Sequence, residues 1–202
     1  KEFFGNAPYG ANMLNGFIGI TEAGDIKLLE HSPDHRQRYC LAYQYKEPQG
    51  STHGGFLDRL FYGCFGAAAD EFGSLILQII GAAICNINTS LKEPKSLIFY
   101  AYSAANGKST IQDLIRRILP HDLICSIPPS HMNHEQYLAK LLGKLVNLAD
   151  ELSTATAMAS DKLKAVVTGD PVTAKIIYRE PTEFKPIAVH IFSTTVLPSF
   201  KG

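Results

Sequence analysis

The apolar pattern of the chain divides it near Pro94 into two regions, residues 1–93 and 94–202. In the first, Phe17 to Ile20 and Ile26 to Leu29 are short apolar runs on either side of Ala23-Gly24-Asp25. Two such runs around a glycine-containing turn predict a β-hairpin. Leu41 to Tyr45 predicts another strand, and Gln49 to Gly55 a polar loop. From Phe56 to Cys85 the pattern turns helical. Phe56, Leu57, Leu60 and Phe61 recur at helix spacing, and Phe72, Leu75, Ile76, Ile79 and Ile80 repeat it. Asn86 to Pro94 reads as a linker.

The second region alternates. Leu97 to Tyr100 predicts a strand. Thr110 to Leu119 predicts a helix with Ile111, Leu114, Ile115 and Ile118 on its apolar side, stopped by Pro120. Leu123 to Cys125 predicts a second strand, His134 to Leu142 a helix and Leu145 to Ala149 a buried strand. Met158 to Val167 predicts a helix that ends at Gly169, and Ile187 to Phe192 the last strand. Strands alternating with helices predict an α/β fold around a mainly parallel sheet.

Composition narrows the classes. A chain of 202 residues, 46% of them hydrophobic, buries a core of its own. Lys and Arg total 19, as do Asp and Glu, so no global positive field attracts nucleic acid and any DNA contact must come from a local patch. Cys40, Cys64, Cys85 and Cys125 lie far apart, without metal-ligand spacing. They read as reduced core thiols of a cytoplasmic protein. The longest apolar stretch, Leu75 to Cys85, is too short for a bilayer and contains Gln78, so a buried helix and no membrane partner are expected. His31, His35 and His53 do not fit a metal-ligand spacing either. The chain starts at Lys1 and stops after Phe200-Lys201-Gly202, which reads as a piece of a longer protein.

Two segments carry chemistry. Asn106-Gly107-Lys108-Ser109-Thr110 lies between the strand at Leu97 and the helix that follows. In such a loop, backbone N–H groups and a helix N-terminus surround phosphates, the lysine neutralises charge and the serine hydroxyl ligates Mg²⁺. Gly-Lys-Ser-Thr by itself fits an ordinary turn with a surface lysine equally well, and Tyr102 stands where the full pattern has glycine. The second segment is the apolar strand ending in Asp150-Glu151. Asp150 suits the carboxylate that holds Mg²⁺, and Glu151 the one that polarises an attacking water. Both segments fall at the carboxyl ends of strands in one sheet, where α/β folds bind ligands.

With these motifs placed, the chain resembles the superfamily-three helicases of the phage/plasmid primase family, relatives of the poxvirus replication ATPases. The resemblance runs through Asn106 to Thr110, through Leu141-Leu142-Gly143-Lys144 into Asp150-Glu151, and through Lys164. It continues with Thr168-Gly169-Asp170-Pro171-Val172-Thr173-Ala174-Lys175, Phe184-Lys185-Pro186 and Ser193 to Pro198. Gly-Asp-Pro-Val-Thr-Ala is the most specific of these strings. Leu14-Asn15-Gly16 and His31-Ser32-Pro33 resemble the family's region before the helicase core.

The resemblance implies a P-loop NTPase of AAA+-like type, with a parallel sheet flanked by helices after a small α+β or helical region. It implies ATP and Mg²⁺ as cofactors, a hexameric ring as the assembly, and translocation on single-stranded DNA by a hairpin. Carried over, Lys164, Lys175 and Arg179 are the DNA contacts, and Thr195 stands where the family has a γ-phosphate-sensing asparagine. The family's arginine finger lies beyond the third motif. Basic and acidic residues alternate from Asp161 to Glu183, so a phosphate track requires the fold to gather the lysines. Two other readings compete: a degenerate remnant that holds DNA or a partner without hydrolysis, and a small-molecule kinase, which the Gly-Asp-Pro-Val-Thr-Ala segment disfavours.

Overall fold

β1 (Gly10–Met13), β2 (Gly16–Ile20) and β3 (Ile26–Leu29) form an antiparallel meander in a computed structural model that describes residues 7–21, 23–48, 55–102, 106–150, 158–176, 178–196 and 200–201. The chain divides into two units, Lys1–Ile87 and Asn88–Gly202.

In the first unit the expected hairpin forms, with Phe17 opposite Leu29 and Ile20 opposite Ile26. β1 adds on the other side of β2, and glycine permits the approach. Gly10 has φ +151°, and a Cβ there would collide with the Ile18 carbonyl. Leu41 to Tyr45 does not form a strand. Leu41 is buried and its N–H donates to Asn12 O at 2.8 Å, but the chain bends at Ala42 and Tyr43, leaving a single bridge, Asn12 to Cys40. Cys40 is exposed and the other three thiols are half-buried, so the cysteines are free but not core residues.

The helical pattern of residues 56–85 becomes a hairpin of α1 (Gly55–Phe65) and α2 (Ala69–Ile84). Gly55–Ile84 is long and apolar enough, by length and composition, to cross a membrane, which the shorter run read from the sequence is not. It is folded back on itself. Gly66 takes φ +57°, and the Phe61 ring occupies the place of a Cβ on Gly73. Arms of 11 and 16 residues reach only about 16 and 24 Å, short of the roughly 30 Å of a hydrocarbon core.

The second unit alternates as expected. β4 (Leu97–Tyr100) leads to α3 (Lys108–Ile118), β5 (Ile124–Cys125), α4 (Glu135–Leu138) and β6 (Val146–Ala149). β7 (Met158–Ala159), α5 (Ser160–Thr168), β8 (Val172–Ala174), β9 (Thr182–Phe184), β10 (Val189–Thr194) and β11 (Phe200–Lys201) follow. The main sheet has the order β4-β10-β6-β5 and is parallel throughout. β6 and β10 are buried at every position, as expected of central strands covered on both faces.

The β4–α3–β5 crossover runs the width of the sheet, and the later connections return in the opposite direction. Right-handed crossovers therefore put α3 on one face and α5 on the other. On the α5 face, Ala149 and Phe192 pack with Leu138, Leu141, Val166, Val172 and Ala174. Smaller differences are local. α3 starts at Lys108, two residues before the expected start, and stops before Pro120. The helix expected over 134–142 is one short helix plus a 3-10 turn, Ala139–Leu141. α5 ends as expected before Gly169, whose φ is +75°.

Candidate functional site

The phosphate-binding candidates sit where β4 gives way to α3. Gly107 is the N-cap of α3 in a left-handed conformation, φ +83°, which glycine adopts without strain. It brings no capping side chain, so the first N–H groups of α3 are not satisfied by their own cap. Lys108 is half-buried and its ammonium donates to the neutral Asn106 Oδ1 at 3.0 Å. Among the described residues it makes no ion pair. Ser109 and Thr110 are exposed. This end of α3 can accept an anion, with a cation beside it whose charge no carboxylate among the described residues offsets. Residues 103–105 of the loop lie outside the described residues. Tyr102 is 85% exposed, with its ring edge-on to Tyr100 at 5.0 Å.

The sheet register places the other candidates at the same edge. Thr194 pairs with Tyr100, and Ala101 N–H donates to Thr194 O at 3.3 Å. Phe192 pairs with Ala149, so Asp150 leaves β6 level with the end of β10. Neighbouring strands lie about 4.8 Å apart, so the loop after β4 and Asp150 are separated by roughly 10 Å across the intervening β10. That width suits a phosphate group with a metal ion between them. Asp150 is exposed and its Oδ2 accepts from Arg116 Nη2 at 3.1 Å, while Arg116 Nη1 donates to Asp113 Oδ1 at 2.9 Å. The sequence offered no sign of this α3 bridge. Glu151 lies outside the described residues. Thr195 is exposed, and its neighbour Thr194 is committed to a turn in which Oγ1 donates to Val196 O at 2.6 Å.

Among the described residues no three His, Cys, Asp or Glu side chains are grouped to hold a metal. Mg²⁺ needs no such cage, since one or two protein oxygens beside substrate phosphates suffice. Ser109 and Asp150 offer those oxygens, provided Asp150 leaves Arg116.

The DNA candidates divide. Lys175 follows β8 and Arg179 precedes β9, in an antiparallel hairpin that pairs Val172 with Phe184. Both side chains are exposed, and Arg179 N–H donates to Ile176 O at 3.0 Å to turn the tip. Lys164 is exposed on α5, outside the hairpin.

Two polar features escaped the sequence reading. Gln112 is 2% exposed on α3, and its Nε2 has no hydrogen-bond partner among the described residues. The buried stripe of α3 is Ile111, Gln112, Ile115 and Leu119, whereas Leu114 and Ile118 are only half-buried. The second feature is a pair in the sheet. Asn147 of β6 and His190 of β10 are opposite one another and wholly buried. Asn147 Oδ1 accepts from Ile127 N–H at 2.7 Å, and its Nδ2 donates to Ile127 O at 2.9 Å and to His190 Nδ1 at 3.2 Å. His190 Nε2–H then donates to Val166 O at 3.3 Å. The Ile127 N–H fixes the amide orientation, which fixes the neutral tautomer.

Burial pushes the His190 imidazole down to about 4, against the opposing pull of the Val166 carbonyl. A proton on Nδ1 would also face the Asn147 amide donor. The folded value lies below the unfolded one, so stability is full above about 6.5 and falls as pH drops towards 4, by about 1.4 kcal/mol per unit. NMR of the His190 ring should show no titration between pH 7 and pH 5; a midpoint near 6.5 contradicts this.

A cleft of about 440 Å³ beside Phe61, Tyr62, Asp58 and Asp70 opens in the helical hairpin of the first unit. Arg59 also lines it, but beside the carboxylates of Asp58 and Asp70, and the glycine-capped helix start with its lysine belongs to the second unit.

Residues 99–201 match the model of a family of unknown function, DUF5906. No curated protein matches the chain. Among solved structures, an apo structure of the NrS-1 C-terminal region is similar, with a TM-score of 0.57 and 17% identity, over 70% of this chain and 34% of that one. An A-form apo structure of the same region has a TM-score of 0.58 and 18% identity, over 72% and 34%. The chain thus spans about a third of those structures, and at this identity the likeness concerns the fold.

Proposed function

We propose, since this chain belongs to the family of unknown function DUF5906, that its second unit is the ATP-binding core of a phage or plasmid replication helicase, coupling ATP hydrolysis to movement along single-stranded DNA. The observation that carries this reading is the glycine-capped start of α3. It directs backbone N–H groups and Lys108 to the same sheet edge as Asp150 and Thr195. A P-loop NTPase requires that juxtaposition.

In this reading the N–H groups after Gly107 and the Lys108 ammonium bind the phosphates, with Asn106 holding Lys108 in place and Thr110 in the first turn. Ser109 and Asp150, the latter after leaving Arg116, would hold a Mg²⁺ ion, which would supply charge neutralisation at the phosphates. Glu151 accepts the proton of the attacking water, and Thr195 donates a hydrogen bond to the γ-phosphate. A hexameric ring would place the β8–β9 hairpin tips along DNA, with Lys175 and Arg179 on the backbone and Lys164 beside them.

The Asp150–Arg116 ion pair favours a second reading, a remnant that binds nucleotide or DNA without turnover. ATP turnover in the presence of single-stranded DNA separates the two. Turnover that Asp150→Asn abolishes supports the motor; binding without turnover supports the remnant.

The hairpin makes its own prediction. Each phosphate contact contributes a slope of about 0.7 to the salt dependence of single-strand binding. Lys175→Ala and Arg179→Ala should each lower the slope by about that amount, measured with an oligothymidylate between 50 and 200 mM salt. An unchanged slope in both variants removes the hairpin from the DNA interface.

A further inference from the structure

A polar side chain on the buried face of a core helix is costly unless something bonds it. Gln112 is such a side chain, 2% exposed, with an amide nitrogen that finds no acceptor among the described residues. It occupies a core position among Ile111, Ile115 and Leu119, where an apolar residue would pack without loss.

Its place on α3 suggests what completes it. Gln112 follows Ser109 by three residues and Lys108 by four, so the three share one face of the helix. Side chains in an α-helix tilt towards the N-terminus, and the allowed rotamers lay a long one over the preceding turn. For Gln112 that turn is Lys108–Ser109, beneath the uncapped N–H groups that follow Gly107. By that rule the amide lies towards the start of α3, on the buried side of the helix that Ile111 and Ile115 share.

We propose that Gln112 is a ligand-binding residue of the nucleotide site, its Nε2 donating to an oxygen at the phosphate–metal end of a bound nucleotide. This rests on the reading of Gly107 to Ser109 as the phosphate site. The chain gives up core stability at this position in exchange for affinity, a trade found at functional sites. Leucine has nearly the same volume and leaves no donor to satisfy. Gln112→Leu should therefore melt at a higher temperature than the unmodified chain while binding nucleotide more weakly. A residue with a purely structural role cannot move these two readouts in opposite directions.

The test uses the full chain, with competition of ATP-γ-S against a fluorescent ATP analogue in Mg²⁺ beside thermal melting. The expected result is an affinity about tenfold lower for Gln112→Leu, the value of one good hydrogen bond to a charged acceptor, with a raised melting temperature. Gln112→Glu keeps the shape but turns the donor into an anion, and it should lose more than the leucine variant. Unchanged affinity in both variants overturns the proposal, as does weaker binding joined to a lower melting temperature in Gln112→Leu. If the unmodified chain does not bind the analogue, the phosphate-site reading fails and takes this one with it. Binding by the unmodified chain, matched by both variants, sinks the Gln112 proposal alone.

Discussion

Replacing Lys108 by alanine is expected to weaken Mg²⁺·ATP binding about a hundredfold while leaving the melting temperature nearly unchanged. The asymmetry follows from its surroundings. Lys108 is half-buried and its ammonium donates to the neutral Asn106 Oδ1, so removing it breaks no internal ion pair among the described residues. Against phosphate, the same ammonium makes a charge-assisted bond worth up to about 3 kcal/mol, which corresponds to roughly a hundredfold in affinity. Lys162 is exposed on α5, and its alanine variant serves as control. Equal affinity in the Lys108→Ala and Lys162→Ala variants would show that the start of α3 does not hold the nucleotide.

The second large effect concerns stability. Asn147→Ala should destabilise the second unit by about 4 kcal/mol. Asn147 satisfies both the N–H and the C=O of Ile127, which is wholly buried, and supplies the donor to His190 Nδ1. Alanine leaves all three without a partner, and each orphan costs about 1–3 kcal/mol before relaxation. Burial raises the Cys125 thiol to about 12, so it stays protonated beside Asn147 Oδ1 at 3.5 Å, but it is too weak a group to take the amide's place. For a unit of this size the loss lowers the melting temperature by about 10–15 °C. A calorimetric shift below about 3 °C would mean that water replaces the amide, contrary to the burial.

The sheet was legible because both of its signals are local. The apolar runs at 97–100 and 145–149 mark β4 and β6, and Gly-Lys-Ser with Pro120 brackets α3. What escaped the sequence needs contacts between distant strands. Asn147 and His190 look like single polar interruptions of apolar strands, and only the order β4-β10-β6-β5 makes them neighbours. Arg116 meets Asp150 because the connection from β4 through α3 to β5 spans the sheet, which no spacing in the chain reveals. Gln112 was hidden by its own chemistry: periodicity assigns the inward face to Leu114 and Ile118, whereas the helix turns Gln112 and Leu119 inward. The strands of the β8–β9 hairpin have three residues each, too few to show a period. Leu41 to Tyr45 shows the reverse, an apolar run whose one bridge comes from burial of Leu41 rather than from a ladder.

The central claim is that the start of α3 binds a nucleotide's phosphates, and calorimetric titration of ATP-γ-S with Mg²⁺ into the unmodified chain addresses it directly. Saturable binding at one site per chain is predicted, weaker for AMP, which lacks the phosphates that Lys108 and Ser109 would hold. A folded chain that releases no heat with millimolar nucleotide would contradict the claim and leave the second unit as a parallel α/β scaffold for DNA or a partner.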